Sequence, residues 1–193
     1  MAKASKQQAA EHHQEILDVA SHLFRQQGVA ATSVPQIMQA AGMTHGGFYG
    51  HFASKEALAT EAITHAFKGL DALITAKFEH NHGDAAAARR DFLETYLSAA
   101  HRDNPASGCV VAALGNDIGR NTAYAGATRA FVDGLQATIA HLADDPHSSA
   151  DRGTILTNYA TLVGALTLAR ATAGTPLSDE ILQTVKADLL ARS

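Results

Sequence analysis

Between residues 11 and 27, Ile16, Leu17, Ala20, Leu23 and Phe24 fall at the i, i+3, i+4, i+7 spacing of one helix face, and Gly28 supplies a stop. In "TSVPQIMQAAGMT", Ser33 can cap a second helix, Pro35 suits its first turn, and Ile37, Met38 and Ala41 give it an apolar side. That helix is only about eight residues long, so it must pack on neighbours to persist. Thr44 opens a third short helix over His45–His51, and Ser54 caps a fourth that starts at Lys55. The fourth carries Leu58, Ala62, Ile63, Ala66, Phe67, Leu70, Leu73, Ile74 and Phe78 until "EHNHGD" breaks it. Five more helical stretches follow, at Ala85–His101, Ser107–Arg120, Tyr124–Leu142, Ala150–Ala173 and Ser178–Ala191. The separators "RDNPASG", "RNTA", "DDPHSS" and "AGTPLS" are rich in turn formers. The pattern predicts an all-α chain of about nine helices.

Composition narrows the class. The chain has 193 residues, enough for one large or two small domains, with four prolines and no tryptophan. Net charge is −4, which excludes a broadly basic coat. The first sixty residues differ from the rest. Lys3, Lys6, Arg25 and Lys55 balance Glu11, Glu15, Asp18 and Glu56, and five histidines lie among them. The single cysteine, Cys109, excludes an intrachain disulfide and fits a reducing compartment. The polar N-terminus lacks a secretory h-region, and no apolar run is long enough for a membrane span. A cytoplasmic protein with no membrane partner is expected. A phosphate-cradling glycine loop, a nucleophile elbow, a zinc motif and partnered carboxylates are all missing, so neither an enzyme nor a cofactor is expected. His80 and His82 are two apart, which puts them on different helix faces and argues against a metal site.

The chemistry concentrates in "HGGFYGHFASKEAL". Three glycines in six residues cost about 1 kcal/mol each in a helix interior. Two short helices joined by "AAGMT" form a helix-turn-helix candidate, whose second helix enters the DNA major groove. A glycine facing DNA lets the backbone come close to phosphates or bases. Phe48 and Phe52 are four apart and belong on the inward face with Leu23, Phe24, Ile37 and Ala41. His45 and Tyr49 share another face, where the phenol can reach a phosphate oxygen. Lys55 opens a helix whose free N–H groups favour an anion.

The run "HQEILDVASHLFRQQGVAATSVPQIMQAAGMTHGGFYGHFASKEAL" resembles the DNA-binding region of the TetR/AcrR family of bacterial transcriptional regulators, above all in "G.FY.HF.SKEAL". The resemblance implies an all-α homodimer, with a three-helix reader at residues 1–54 and a ligand-binding and dimerisation domain at residues 55–193. It implies that Thr44, Tyr49 and Lys55 hold phosphates while residues of His45–His51 read bases. The DNA-binding set is then Ser33, Thr44, His45, Gly46, Gly47, Tyr49, His51 and Lys55. His45 stands where the family often has lysine, and Gly47 and Gly50 where it often has larger polar residues. Lys3 and Lys6, on a flexible N-terminal arm, would add phosphate or minor-groove contacts.

In Ala150–Ala173, Ile155, Tyr159, Leu162, Leu166 and Ala169 alternate spacings of four and three, a heptad-like seam. The last helix adds Ile181, Leu182, Val185, Leu189 and Leu190. These two helices either join a partner's pair in a dimer or fill an internal core; the pattern fits both. Cys109 near a helix start is either a sensing thiol or a small buried hydrophobe. Tyr96, Cys109, Asn116, Phe131 and Tyr159 are candidate ligand-lining residues. The expected function is a ligand-responsive regulator, acting as a repressor. It would bind a palindromic double-stranded DNA operator as a homodimer and be released by a small-molecule effector, with electrophiles and oxidants among the effector classes. The competing reading is a helical dimeric interaction module with weak non-specific DNA binding.

Overall fold

The computed structural model describes the backbone of residues 2–120, 123–143 and 151–192, with side chains from Lys6 onward. Every regular element among the described residues is helical. In chain order these are α1 (Ala2–Gln27), α2 (Val34–Ala40), a 3-10 helix (His45–Gly50) and α3 (Lys55–His80). Then come α4 (Ala85–Tyr96), α5 (Ala99–Asp103), a 3-10 turn (Pro105–Ser107) and α6 (Val110–Arg120). The chain closes with α7 (Ala125–Ala143), α8 (Arg152–Ala171) and α9 (Pro176–Ala191). Parts of the separators "RNTA" and "DDPHSS", and Ala150 at the expected start of α8, lie outside the described residues.

Several boundaries differ from those the pattern predicts. Helix α1 begins nine residues before Glu11, because "AKASKQQAA" is made of good helix formers without an apolar stripe. Gln7→Glu11 and Gln14→Asp18 side-chain pairs support it at i, i+4. Lys6 is therefore an exposed helical residue and not part of a flexible arm; the side chain of Lys3 lies outside those described. The stretch expected as one helix from Ala85 breaks at Leu97, where ψ turns to 55°, and Ser98 caps α5 by accepting from the His101 N–H. Helix α6 starts at Val110, three residues later than expected, since Pro105–Ser107 forms its own turn. Helix α9 starts at Pro176, inside "AGTPLS", where proline at the first position needs no N–H partner.

Two apolar cores hold these helices. The first joins Ile16, Leu17, Ala20 and Phe24 of α1 to Ile37, Met38, Phe48 and Phe52, then to Leu58–Phe67 of α3, and on to Val110, Leu114, Ile118, Ala127 and Phe131. It therefore runs from the N-terminal three-helix unit into α6 and α7 without a seam. The second joins Leu93, Tyr96, Leu97 and Cys109 to Leu162, Leu166 and Ala169 of α8 and to Leu182 and Leu189 of α9. Of the heptad-like seam of α8, Leu162, Leu166 and Ala169 face this interior, and Ile155 and Tyr159 are buried within the same chain. What stays uncovered on α8 and α9 is a different set, Leu156, Leu168 and Leu177.

Candidate nucleic-acid interface

The reader unit is assembled by caps and turns. The Ser33 hydroxyl accepts from the Gln36 N–H at 3.3 Å and the Gln36 side chain accepts from the Ser33 N–H at 3.5 Å, a reciprocal capping box worth about 1 kcal/mol. Gly28 closes α1 with φ +87°, a conformation that disfavours any side chain. The following Val29 N–H donates to Asp117 Oδ2 of α6 at 2.6 Å, and Thr32 Oγ1 donates to the Gly28 carbonyl at 2.8 Å. These bonds fix the turn from which α2 departs.

The short helix expected over His45–His51 is a 3-10 helix over His45–Gly50, with His51 as its C-cap. Its bonds are i→i−3, Gly47 N–H to the Thr44 carbonyl at 3.0 Å and His51 N–H to the Phe48 carbonyl at 2.9 Å. Three glycines in six residues cannot sustain α-geometry, and the tighter coil suits so short a piece. Phe48 and Phe52 nevertheless turn inward, 1% and 2% exposed, with ring centroids 5.9 Å apart. Burying each ring contributes about 2–3 kcal/mol and holds the segment on α1 and α2.

The outward side is a continuous exposed strip of Thr44, His45, Gly46, Gly47, Tyr49 and Gly50, with Ser33 exposed at the head of α2. Tyr49 is 68% exposed, the largest such value among the exposed large apolar side chains, and its ring meets His45 edge-on with centroids 6.3 Å apart. The glycines explain themselves by what does not surround them. A Cβ on Gly46 or Gly50 would meet no atom within 4 Å, and neither residue has positive φ. Among the described residues, no packing contact and no left-handed backbone requires glycine at these two positions.

Two residues of the expected set sit elsewhere. His51 is half-buried against α1, with ring centroids 6.2 Å from His12 and 6.3 Å from His13. Burial, then His13 and His12, hold its imidazolium below the ordinary histidine range. Lys55 is half-buried; its Nζ donates to the Ala30 carbonyl at 3.3 Å and lies 5.8 Å from the Tyr124 ring centroid. Next to it, Glu56 Oε1 accepts from the Gly126 N–H at the start of α7 at 3.2 Å. The first turn of α3 is thus tied both to the reader's α1–α2 turn and to the α6–α7 corner.

A model of bacterial regulatory proteins of the tetR family matches residues 16–62, the stretch that holds this strip and its supporting core. Over this stretch the chain is similar to the DNA-binding region of TetR-family regulators. It is 52% identical over 61 residues to the HTH-type transcriptional regulator AcrR of Shigella flexneri, covering 32% of this chain and 28% of that protein. It is 45% identical over 49 residues to the HTH-type transcriptional repressor KstR2 of Rhodococcus jostii (strain RHA1), covering 25% of this chain and 24% of that protein. The match thus spans about a quarter of each of these curated relatives. A TetR-family transcriptional regulator from Agrobacterium tumefaciens shares the fold, with a TM-score of 0.78 at 20% identity over 95% of this chain and 98% of that one. All three of these proteins are described as regulators or repressors of transcription. Among the described residues, no helix is long and apolar enough to cross a membrane.

The expected ligand-lining residues divide. Tyr96 and Cys109 line a cavity of about 460 Å3 between α1, α3, α4 and the loop before α6. Tyr159 lines a smaller one of about 180 Å3 between α3, α4 and α8. Asn116 is exposed on α6 and Phe131 packs edge-on against Phe67 in the first core, so neither lines either cavity. Cys109 is 5% exposed, and its N–H donates to His101 Nε2 at 3.0 Å. His101 Nδ1 in turn donates to the Tyr96 carbonyl at 2.8 Å, which fixes a neutral imidazole; burial holds its pKa below the ordinary range. Asp117, Arg25 and His101 escaped the sequence reading, because each acts across the fold with no local pattern to mark it.

Proposed function

We propose that this protein is a ligand-responsive transcriptional repressor that binds a palindromic operator as a homodimer and is released by a small molecule. The exposed strip Thr44–Tyr49 carries the reading: a rigidly backed, glycine-bearing surface with its aromatic anchors turned inward and Tyr49 turned outward. Residues 1–54 form the reader and residues 55–193 the effector and dimerisation domain. Ser33, Thr44 and Tyr49 bind phosphates, and His45, Gly46 and Gly47 meet base edges or the backbone between them. Lys55 exchanges the Ala30 carbonyl for a phosphate when DNA docks. His51 supports this surface from behind. The exposed Leu156, Leu168 and Leu177 of α8 and α9 supply the dimer face, consistent with an apolar groove between these helices that includes Ile181 and Val185.

Release follows from linkage. An effector acts only if it binds the DNA-incompetent arrangement better than the competent one. The levers are the Asp117–Val29 and Glu56–Gly126 hydrogen bonds, which tie the reader to α6 and α7. An effector in the 460 Å3 cavity would touch Cys109, so an electrophile or oxidant remains one class to assay.

The test is fluorescence anisotropy of the full chain on duplexes from its own upstream region, over a range of salt. Sequence-specific binding whose affinity falls steeply with salt supports the repressor. An intact dimer that binds no sequence preferentially supports the interaction module instead.

A further inference from the structure

The geometry points to the 460 Å3 cavity as a binding site for a small organic anion with an apolar body, gripped by Arg25 and Ser21 of α1 together with Tyr96 of α4. This inference rests on the ligand-responsive reading and names the chemical class of the effector. Its size falls in the range of about 300–1,000 Å3 usual for small-molecule sites.

Three of its lining residues carry buried polar atoms with no hydrogen-bond partner among the described residues: Ser21 Oγ, Arg25 Nε and Tyr96 OH. Ser21 is 3% and Tyr96 4% exposed, so water outside the protein does not satisfy them. Ser21 and Arg25 are four apart on α1 and so share a face. Among the described residues the Arg25 guanidinium makes one hydrogen bond, a long one, Nη1 to the Gly108 carbonyl at 3.4 Å. Tyr96 lies beside the thiol of Cys109, which is only a weak acceptor for its hydroxyl. Arg25 and Tyr96 therefore converge on residues 108–109. Just behind them, Arg170 donates to the carbonyls of His101 and Arg102 and keeps its buried Nη1 without a partner.

The charge in the wall has one sign. Among the described residues lining the cavity there is no aspartate or glutamate. Lys77 is paired with Asp91 at 2.8 Å and the His65 ring meets Asp18 at 2.8 Å, while Arg25 meets no carboxylate among the described residues. A half-buried guanidinium with an orphaned donor is costly unless an anion reaches it, and burial already lowers its pKa. A carboxylate offers four acceptor sites to a planar fork, which suits Arg25 with Ser21 or Tyr96 on the remaining lone pairs. Leu70, Leu73, Phe92 and Val110 supply apolar walls for the body of the ligand. Arg25 lies one turn before the Gly28–Val29 turn that Asp117 holds, so a ligand here pulls on the reader's first helix directly.

The experiment is calorimetric titration of the full chain, without DNA, using 2-naphthoate, its neutral amide 2-naphthamide and the cationic 2-naphthylmethylamine. Because no DNA is present, failure here leaves the DNA-binding reading untouched, and failure of DNA binding leaves this one untouched. Binding of the carboxylate about tenfold or more tighter than the amide, with the amine weakest, is the expected result. In Arg25→Gln the carboxylate should lose that advantage while the amide binds as before, and Arg25→Lys should keep part of it. Equal or tighter binding of the amide or amine, carboxylate binding unchanged by Arg25→Gln, or no binding of any of the three would overturn the assignment. The wild-type ranking alone decides the matter if Arg25→Gln fails to fold.

Discussion

If the glycines of the 3-10 helix serve an external partner, replacing them should separate stability from binding. Consider Gly46→Ala and Gly50→Ala together. An added Cβ meets no atom within 4 Å at either position, and neither needs the left-handed region. Where the native conformation tolerates alanine, glycine to alanine stabilises by about 0.4–1 kcal/mol, chiefly by restricting the unfolded chain. The pair should therefore add about 1–2 kcal/mol, which for a chain of this size raises Tm by about 2–8 °C. On DNA the same methyl groups stand between backbone and phosphate or base. Losing one charge-assisted hydrogen bond there costs about 1.5–3 kcal/mol, or roughly tenfold or more in affinity. Thermal unfolding by circular dichroism reads the first quantity and anisotropy on the upstream duplex the second. A variant that is more stable and binds DNA as tightly as the parent would refute the role given to the glycines. So would a variant that is less stable, since the space around them would then not be free.

Other consequences can be checked the same way. Asp117→Ala removes the acceptor for the Val29 N–H and should lower stability by about 1–3 kcal/mol in urea unfolding; an unchanged midpoint would show that this bond does not hold the reader. Phe48→Ala leaves a void in the first core, expected to cost about 3–5 kcal/mol, whereas Tyr49→Phe should change stability by no more than about 0.5 kcal/mol. His101 and His51 are both held below the ordinary value of about 6.5, so the unfolded chain binds more protons than the folded one just below that pH. Their contribution is complete above about pH 6.5 and is lost as pH falls through the folded pKa values. Tm should decline between pH 7 and 5, and His101→Gln should flatten that decline; a Tm that rises on acidification would contradict the neutral, doubly bonded imidazole.

Much of the fold is legible in the apolar pattern because helix faces repeat locally. Ser33 and Ser54 cap where the pattern places them, and Phe48 and Phe52 are buried as their spacing implies. The pattern misreads what depends on backbone geometry or on partners far along the chain. Helix α1 has no apolar stripe in its first turns to announce it, and the break at Leu97 lies inside a continuous helix-forming run. The α8 seam has a heptad-like period, yet period alone does not say whether its partner lies in the same chain or in another; here it packs inward. At the site, the outward face of Tyr49 and His45 follows from spacing, but the turn of His51 toward α1 and the hold of Ala30 on Lys55 come from contacts no local rule contains. Arg25 reads as an ordinary basic residue near a helix end, and only the folded wall around it reveals an unpaired donor.

The central claim is that the exposed strip from Thr44 to Gly50 is the surface that meets DNA. Millisecond hydrogen–deuterium exchange on the full chain, with and without a duplex from its upstream region, tests it most directly. Slowed exchange of the backbone amides of residues 44–50, at salt low enough for binding, is the predicted result. Unchanged exchange there while the duplex is demonstrably bound, with protection on another face, would contradict it.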